Sequence, residues 1–291
     1  MSGYVDVSIY VILSAIGLVF IDGLCTQLHP VTALFFMSGV ALLFFNLLIL
    51  KQIKQTYLAC YQYKMSFLVM SFALGVDWVG IIYGTYLSDP FITMAALFIT
   101  LAFLGFATQQ KTEPHFSNLC SMFLLLACIV LLDFTYQMKL SHHTLYGLLL
   151  GGISGVGFFL YIVFSGRFSN QGQLSSKQVL ATRFWALFIG AFFMMPKATI
   201  HPAITTNFPA LLFISFIALI IPVFFNQQAI NKLGSARTAI FISFVPPATF
   251  LFDAIHNHHF IFANFTICML ISLALIFPKL IAFKASPRPI T

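Results

Sequence analysis

Long apolar runs, separated by short polar breaks, cover most of this sequence. Each run has about 20 residues, the length that an α-helix needs to cross the hydrocarbon core of a membrane. The runs are continuously apolar, whereas a strand of a membrane β-barrel alternates apolar and polar residues over about ten positions. The pattern predicts ten membrane helices, at residues 6–24, 31–50, 66–87, 90–108, 116–133, 144–165, 178–196, 209–230, 236–253 and 260–282.

The scarcity of charge excludes a soluble globular protein. Only 7% of the 291 residues are charged, against about 25% in a typical soluble domain. Because no break is long enough to form a soluble domain, any activity must lie among the helices. The sequence lacks a Walker-type nucleotide-binding loop, which excludes ATP-driven transport by this chain alone. We therefore predict an all-α integral membrane protein that needs no cofactor.

Basic residues are divided unevenly between alternate breaks. With the N-terminus inside, eleven Lys and Arg residues fall on the inner side and two, Lys139 and Lys197, on the outer side. Because basic loops stay in the cytoplasm, this bias predicts that both termini are cytoplasmic and that the number of spans is even. The first run lacks a basic leader and a small-residue cleavage site, so we expect a span rather than a removable signal. We expect the protein in the plasma membrane, the inner membrane of a bacterium.

The pattern of runs and breaks repeats after 146 residues. With that shift, the first five runs fall on the second five without a gap, and Gln27-Leu28 falls on Gln173-Leu174. The alternative is that two unrelated halves share the same apolar spacing. The repeat predicts two homologous halves, at residues 1–140 and 141–291. Since each half has an odd number of spans, the second half is predicted to be inverted, with the substrate site between the halves near the membrane midplane.

Three sequence features lie at positions similar to those of characteristic residues in a known family. Arg183 lies early in the seventh run, Pro246-Pro247 lies within the ninth, and Glu113 comes just before the fifth. Each landmark occurs in one half only. Together with the ten-helix layout, they resemble the EamA-like branch of the drug/metabolite transporter superfamily over nearly the whole chain. The resemblance implies a secondary transporter that works by alternating access and moves a small organic solute, such as an amino acid, an amine or a nucleotide-type metabolite.

Two ionisable residues lie deep inside predicted spans. Asp77 is near the middle of the third run, where an ionised carboxylate costs at least about 2.5 kcal/mol. We predict that it binds a cationic group or a coupling proton; the alternative is a structural aspartate that joins two helices. Arg183 is about a third of the way into its run. Its two interpretations, a contact to an anion and a side chain that snorkels to the inner surface, remain open.

Amide and aromatic side chains complete the predicted substrate site. Asn226 and Gln227 belong to three consecutive amides in the eighth run, which cannot all face lipid, although they could instead bind neighbouring helices. Aromatic rings beside a carboxylate can enclose a cationic or planar solute, although ordinary packing is the simpler explanation for any single ring in a chain with 36 Phe residues. The candidate rings are Trp78, Tyr83 and Tyr161. Pro246 and Pro247 must interrupt the ninth helix, as a hinge or as a static kink.

Histidines on the predicted outer side suggest a second kind of function. His142-His143 and His256-x-His258-His259 are clustered, and clustered histidines can bind a metal ion. A membrane-embedded metal-dependent enzyme is therefore the alternative to a transporter, although solvated loops explain both clusters. The predicted partners are a small-molecule substrate, a coupling proton or cation and membrane lipid, with no nucleic acid. We expect a monomer or a homodimer.

Overall fold

The protein is all-α. A computed structural model describes residues 2–88, 90–108, 142–233 and 235–285, together with helical residues at 120–125, 127–128 and 131. Across these residues the chain forms helices and no strand. The first half contains α1 (Gly3–Cys25), α2 (Pro30–Leu48), α3 (Ile53–Gln62), α4 (Lys64–Leu87) and α5 (Pro90–Thr108). The remainder contains α6 (His142–Gly172), α7 (Ser176–Thr182), α8 (Trp185–Met194), α9 (Ile200–Thr205), α10 (Phe208–Ile214), α11 (Ile221–Leu233), α12 (Ser235–Ile242), α13 (Val245–His256) and α14 (Phe262–Ala285).

Several of these helices suit a membrane. Among the described residues, five are long and apolar enough to cross one: Gly3–Cys25, Pro30–Leu48, Lys64–Leu87, Leu145–Gly172 and Phe208–Ile230. A sixth is added if Ser176–Met194 and Lys197–Thr205, which meet at 104°, form one broken span. Shorter apolar helices occur at Pro90–Leu104, Ile240–His256 and Phe262–Phe277. Large apolar side chains, Phe72 and Phe193 among them, cover the outer surface. These features fit an integral membrane protein, whose outer surface contacts lipid.

Nine of the ten predicted runs coincide with described helices, and half of the fifth, 116–133, lies outside the described residues. Several details of the prediction were wrong. The break at 51–64 holds α3, and the break at 197–209 holds α9. Both helices are too short and too polar to be recognised by hydropathy. The sixth helix is also longer than predicted, because α6 continues through polar residues as far as Gly172.

Three of the membrane helices are interrupted. A turn at Arg183-Phe184 separates α7 from α8, and another at Ser243-Phe244 separates α12 from α13. The second turn comes just before Pro246-Pro247, which occupy the first turn of α13 and therefore lack only donors that a helix start leaves unpaired anyway. Between α10 and α11, residues Ser215–Ile220 form a π-helix. Such interruptions release backbone groups and re-aim side chains inside a helix bundle.

Pairs of long helices pack along one another. Helix α1 packs against α11 and α13, while α6 packs against α4 and α5. Helix α2 packs against α7 and α8. Buried apolar residues form two clusters, one around Phe45, Phe184 and Leu211 and the other around Phe91 and Phe250. A central cavity is lined by residues of both clusters, so it lies where the two meet.

Glycines allow α4 and α6 to approach closely. A Cβ atom at Gly157 would come within 2.7 Å of the Ala73 carbonyl oxygen and 2.8 Å of the Asp77 amide nitrogen. A Cβ atom at Gly80 would lie 2.7 Å from the Leu150 carbonyl oxygen. Small residues at such contacts let helix backbones pack closely in membranes, where no hydrophobic effect drives helices together. The close contact of Gly157 with the backbone of α4 fixes the position of Asp77.

Candidate functional site

A cavity with a volume of about 90 Å³ lies between the two apolar clusters. Its walls come from eight segments: α1, α4, α5, α6, the α7–α8 turn, the π-helix at Ser215–Ile220, α11 and the start of α13. Five of the seven predicted substrate-binding residues line it, namely Asp77, Trp78, Tyr161, Arg183 and Asn226. The other lining residues are Tyr10, Ser14, Leu18, Ile21, Leu74, Ile81, Met94, Leu97, Phe98, Phe158, Ala218, Pro222, Val223 and Val245.

Asp77 is held at the cavity wall by the neighbouring helix. The side chain is buried, and Ser154 Oγ of α6 donates a hydrogen bond to Asp77 Oδ1 over 2.6 Å. Ser154 can reach Asp77 because Gly157, one turn further along α6, packs directly on the Asp77 backbone. Within the described part of the chain, Ser154 is the hydrogen-bond partner of this carboxyl group. Its second oxygen, Oδ2, can therefore accept from a bound solute.

Arg183 lies at the interruption between α7 and α8. Its side chain is only 3% exposed, so it does not snorkel to the surface, and that alternative was wrong. Nη1 donates to the Tyr161 hydroxyl over 2.6 Å, and the guanidinium carbon lies 4.4 Å from the centre of the Phe184 ring. Nε and Nη2 are buried and find no hydrogen-bond partner among the described residues. A buried cation with two unused donors is costly, which makes this group the most unusual in the cavity.

Asp77 and Arg183 line the same cavity without forming an ion pair. An ion pair does form elsewhere, where Lys232 Nζ lies 2.6 Å from Asp6 Oδ2. The two charged side chains of the cavity are anchored separately, the aspartate by Ser154 and the arginine by Tyr161. Both therefore present hydrogen-bonding capacity to the space between them.

The three consecutive amides point in different directions. Asn226 lines the cavity, and its buried Oδ1 atom accepts no hydrogen bond from the described residues. Gln227 and Gln228 instead line a second space, of about 730 Å³, at the cytoplasmic side predicted from charge. Neighbouring residues of a helix point about 100° apart, which explains why Gln227 does not share the cavity with Asn226.

Tyr83 also lies away from the cavity. It is six residues beyond Asp77 on α4, which turns it to a different face of the helix. There it lines a separate apolar groove with Val31 and Leu34. Trp78 and Tyr161 do line the cavity. The substrate-binding role predicted for Tyr83 and Gln227 thus has no support from their positions.

Sequence reasoning missed the contribution of α1. Tyr10 and Ser14 line the cavity, and Asp6 lies one turn before them, buried and paired with Lys232. These three polar residues are spaced four apart, so they form one stripe along the helix. That spacing within an otherwise apolar run was a signal that the sequence contained.

The second space is a basic groove. Lys51, Lys177 and Lys232 line it together with amide and hydroxyl side chains. It adjoins the cavity along two segments of the chain: Leu180 lines the groove three residues before Arg183, and Gln227 follows Asn226. Asp6 offsets the charge of Lys232, and Lys51 and Lys177 still make the groove positive, which favours the approach of anionic groups.

The remaining predicted residues lie elsewhere. Pro246 and Pro247 are buried at the start of α13, beside Val245 of the cavity wall. His256, His258 and His259 are exposed, and no group of three His, Cys, Asp or Glu residues in the described ranges could hold a metal ion. Glu113 lies outside the described residues.

Comparisons with known proteins support the fold alone. No family model matches the sequence, and no curated protein is significantly similar to it. A solved structure described as "Crystal structure of protein" is similar over 99% of this chain and 97% of its own, with a TM-score of 0.58 and 15% sequence identity. The fold is therefore one that has been observed before, and its function must be argued from the cavity.

Proposed function

We propose that this protein is a secondary transporter that moves a small organic metabolite across the membrane by alternating access. The observation that carries the proposal is the central cavity, in which the buried Asp77 and Arg183 and the half-buried Asn226 face one space inside an apolar helix bundle. Ionisable residues at membrane depth are expensive, and they typically mark the path of a substrate or an ion. Asp77 is the residue that would bind a cationic group or a coupling proton.

The arrangement of helices supports two inverted halves. A shift of 146 residues relates α1 to α6 and α4 to α11. Under that exchange, the packing of α1 on α11 becomes the packing of α6 on α4, and both contacts occur. In the same way, the contact of α1 with α13 corresponds to the contact of α6 with α5. This exchange of partners is expected if two repeats are related by a two-fold axis in the membrane plane.

Residues that line the cavity are also related by the shift of 146 residues. Asp77 and Val223 are 146 residues apart and line the cavity together. Equivalent helices of both proposed halves thus contribute to one site, and alternating access follows if the halves rock about it. The ten-helix count, with the fifth span at 116–133, belongs to this proposal.

Access to the cavity from both sides of the membrane tests the proposal. In a chain whose five cysteines are replaced by alanine, Ile81→Cys places a thiol on the cavity wall. The control Ala33→Cys is fully buried in the apolar core away from the cavity. We expect a membrane-impermeant thiol reagent to label Ile81→Cys from either face, in right-side-out and in inside-out vesicles, and to leave the control unlabelled. Labelling from one face only, or equal labelling of the control, contradicts alternating access.

A further inference from the structure

Two nitrogen atoms of the Arg183 guanidinium are available to bind a group of the substrate. Nη1 is occupied by the Tyr161 hydroxyl, while Nε and Nη2 have no hydrogen-bond partner among the described residues. In a planar guanidinium, the N–H bonds of Nε and Nη2 run parallel along one edge. Two parallel donors match the two oxygens of a carboxylate, which is the bidentate pairing for which arginine is suited.

The same cavity holds acceptors without matching donors. Asp77 receives one hydrogen bond, from Ser154, and the buried Asn226 Oδ1 receives none from the described residues. A primary ammonium group carries three donors and no acceptor, so it satisfies both sites at once. The Tyr10 and Ser14 hydroxyls, which also line the cavity, can accept as well.

The rest of the wall is apolar and the space is small. Leu18, Leu74, Ile81, Leu97 and Val223 supply much of the surface between the polar residues. The volume of about 90 Å³ is well below the roughly 300–1,000 Å³ of pockets that bury drug-sized ligands. A nucleotide or a sugar would also leave polar groups without partners against this apolar wall.

We infer that the substrate is a small α-amino acid with an apolar side chain. Its carboxylate binds the Nε–Nη2 edge of Arg183, its ammonium group binds Asp77 and Asn226, and its side chain packs on the apolar wall. A zwitterion carries both an ammonium and a carboxylate group, so it can pair with Asp77 and Arg183 at the same time. An amine alone leaves Arg183 unpaired, and a carboxylic acid alone leaves Asp77 unpaired. This inference deepens the proposed function and rests on it for the use of the site in transport.

The basic groove agrees with this substrate class. Lys51, Lys177 and Lys232 surround a space that adjoins the cavity on the Arg183 side, through Leu180 one turn earlier. Such a groove attracts the carboxylate end of a solute and directs it toward the arginine.

Direct binding to the purified full-length chain tests the inference. L-alanine, L-valine and L-leucine are each compared with the amine that lacks the carboxylate and with the acid that lacks the amino group. For L-valine these analogues are isobutylamine and 3-methylbutanoate. Binding is measured by thermal shift and by titration calorimetry at equal concentrations. We expect at least one amino acid to bind at least about tenfold more tightly than both of its analogues.

Variants of Arg183 identify the carboxylate contact. Arg183→Lys keeps the charge but lacks the two-donor edge, and Arg183→Gln removes both. We expect each to weaken amino-acid binding by about tenfold or more, while binding of the matching amine, which makes no contact with the guanidinium edge, is not weakened. The control is Arg167→Gln, which makes the same change at an exposed position of α6. If Arg183→Gln fails to fold, Arg183→Lys alone decides.

The outcomes separate this inference from the proposed function. If no amino acid binds, or if an analogue binds as tightly as its amino acid, the inference is overturned, and transport of another solute can still be observed. Unchanged amino-acid affinity in Arg183→Lys also overturns it. Amino-acid binding in a chain whose cavity is reached from one face only supports the inference and contradicts the transporter.

Discussion

At the scale of single residues, the cavity is defined by side chains whose hydrogen bonding is incomplete. Among the described residues, Asp77 has one hydrogen-bond partner, Ser154, and Arg183 has one, Tyr161, and these partners fix their orientation. Buried polar atoms in native proteins nearly always find partners, so incomplete pairing indicates a ligand or water. A bound solute is therefore expected to supply the hydrogen-bond partners that these side chains lack.

Removing the charge of Asp77 distinguishes a functional from a structural aspartate. We expect Asp77→Asn to abolish solute binding and coupled uptake, while the melting temperature stays the same or rises because a costly buried charge is removed. Both quantities should be measured on the same purified sample. Full transport at an unchanged or higher melting temperature would mean that Asp77 is structural.

The two residues of the ion pair between α1 and α11 are predicted to contribute unequally to stability. Asp6 is 1% exposed and Lys232 is 39% exposed at the side chain. Lys232→Gln leaves a buried carboxylate without its cation, and we expect it to lower the free energy of unfolding by about 1–3 kcal/mol. Asp6→Asn leaves an exposed lysine, and we expect a smaller loss. Thermal melts of both variants in the same lipid or detergent check that Lys232→Gln loses more stability than Asp6→Asn. Equal losses of stability would contradict this prediction.

At the scale of helices, the close contact between α4 and α6 positions the site. Helix α6 reaches Asp77 with Ser154 only because glycines remove the side chains that would hold the helices apart. The interruption at Arg183-Phe184 has a similar effect on the other wall, where it occurs at the residue that faces the cavity. Local irregularity and small residues thus set the geometry that an ideal helix bundle would not provide.

Two glycines of α6 provide a matched test of this contact. A methyl group at Gly157 would meet the backbone of α4, whereas one at Gly166 would meet nothing within 4 Å. We expect Gly157→Ala to destabilise the protein by about 1–3 kcal/mol through overpacking. Gly166→Ala should be neutral or stabilising by up to about 1 kcal/mol, because alanine favours a helix. Similar melting temperatures for the two variants would show that the helices are not held this closely.

At the scale of the whole molecule, hydropathy predicted where the described membrane helices lie, since apolar runs of this length have few alternatives in lipid. Hydropathy could not predict α3 and α9, whose sequences resemble loops.

Among the candidate site residues, Asp77, Arg183 and Asn226 were recognised because charges and amides are rare in apolar runs. Their partners could not be predicted, since Ser154 and Tyr161 are common residue types brought close by packing. Tyr83 and Gln227 line other spaces, because residue spacing gives their angle to Asp77 and Asn226 but not which helix face turns to the cavity.

The orientation in the membrane remains a prediction that fusions can test. The structure groups Lys51, Lys177 and Lys232 around one groove, and these residues all belong to breaks predicted to be cytoplasmic. Reporter fusions after Lys54 and Lys232 should report the cytoplasm, and fusions after Lys139 and Lys197 the outer side. A C-terminal reporter that reads outside would require an odd number of spans.

The bond from Ser154 to Asp77 joins residues that are 77 positions apart in the chain. A ribosome adds roughly 5–20 residues per second, so several seconds pass between the synthesis of the two residues. During this interval α4 carries Asp77 into the membrane before Ser154, its hydrogen-bond donor, has been made. The nascent first half therefore has to keep this side chain protonated or hydrated until α6 is made, and correct assembly depends on the order of synthesis as well as on the final contacts.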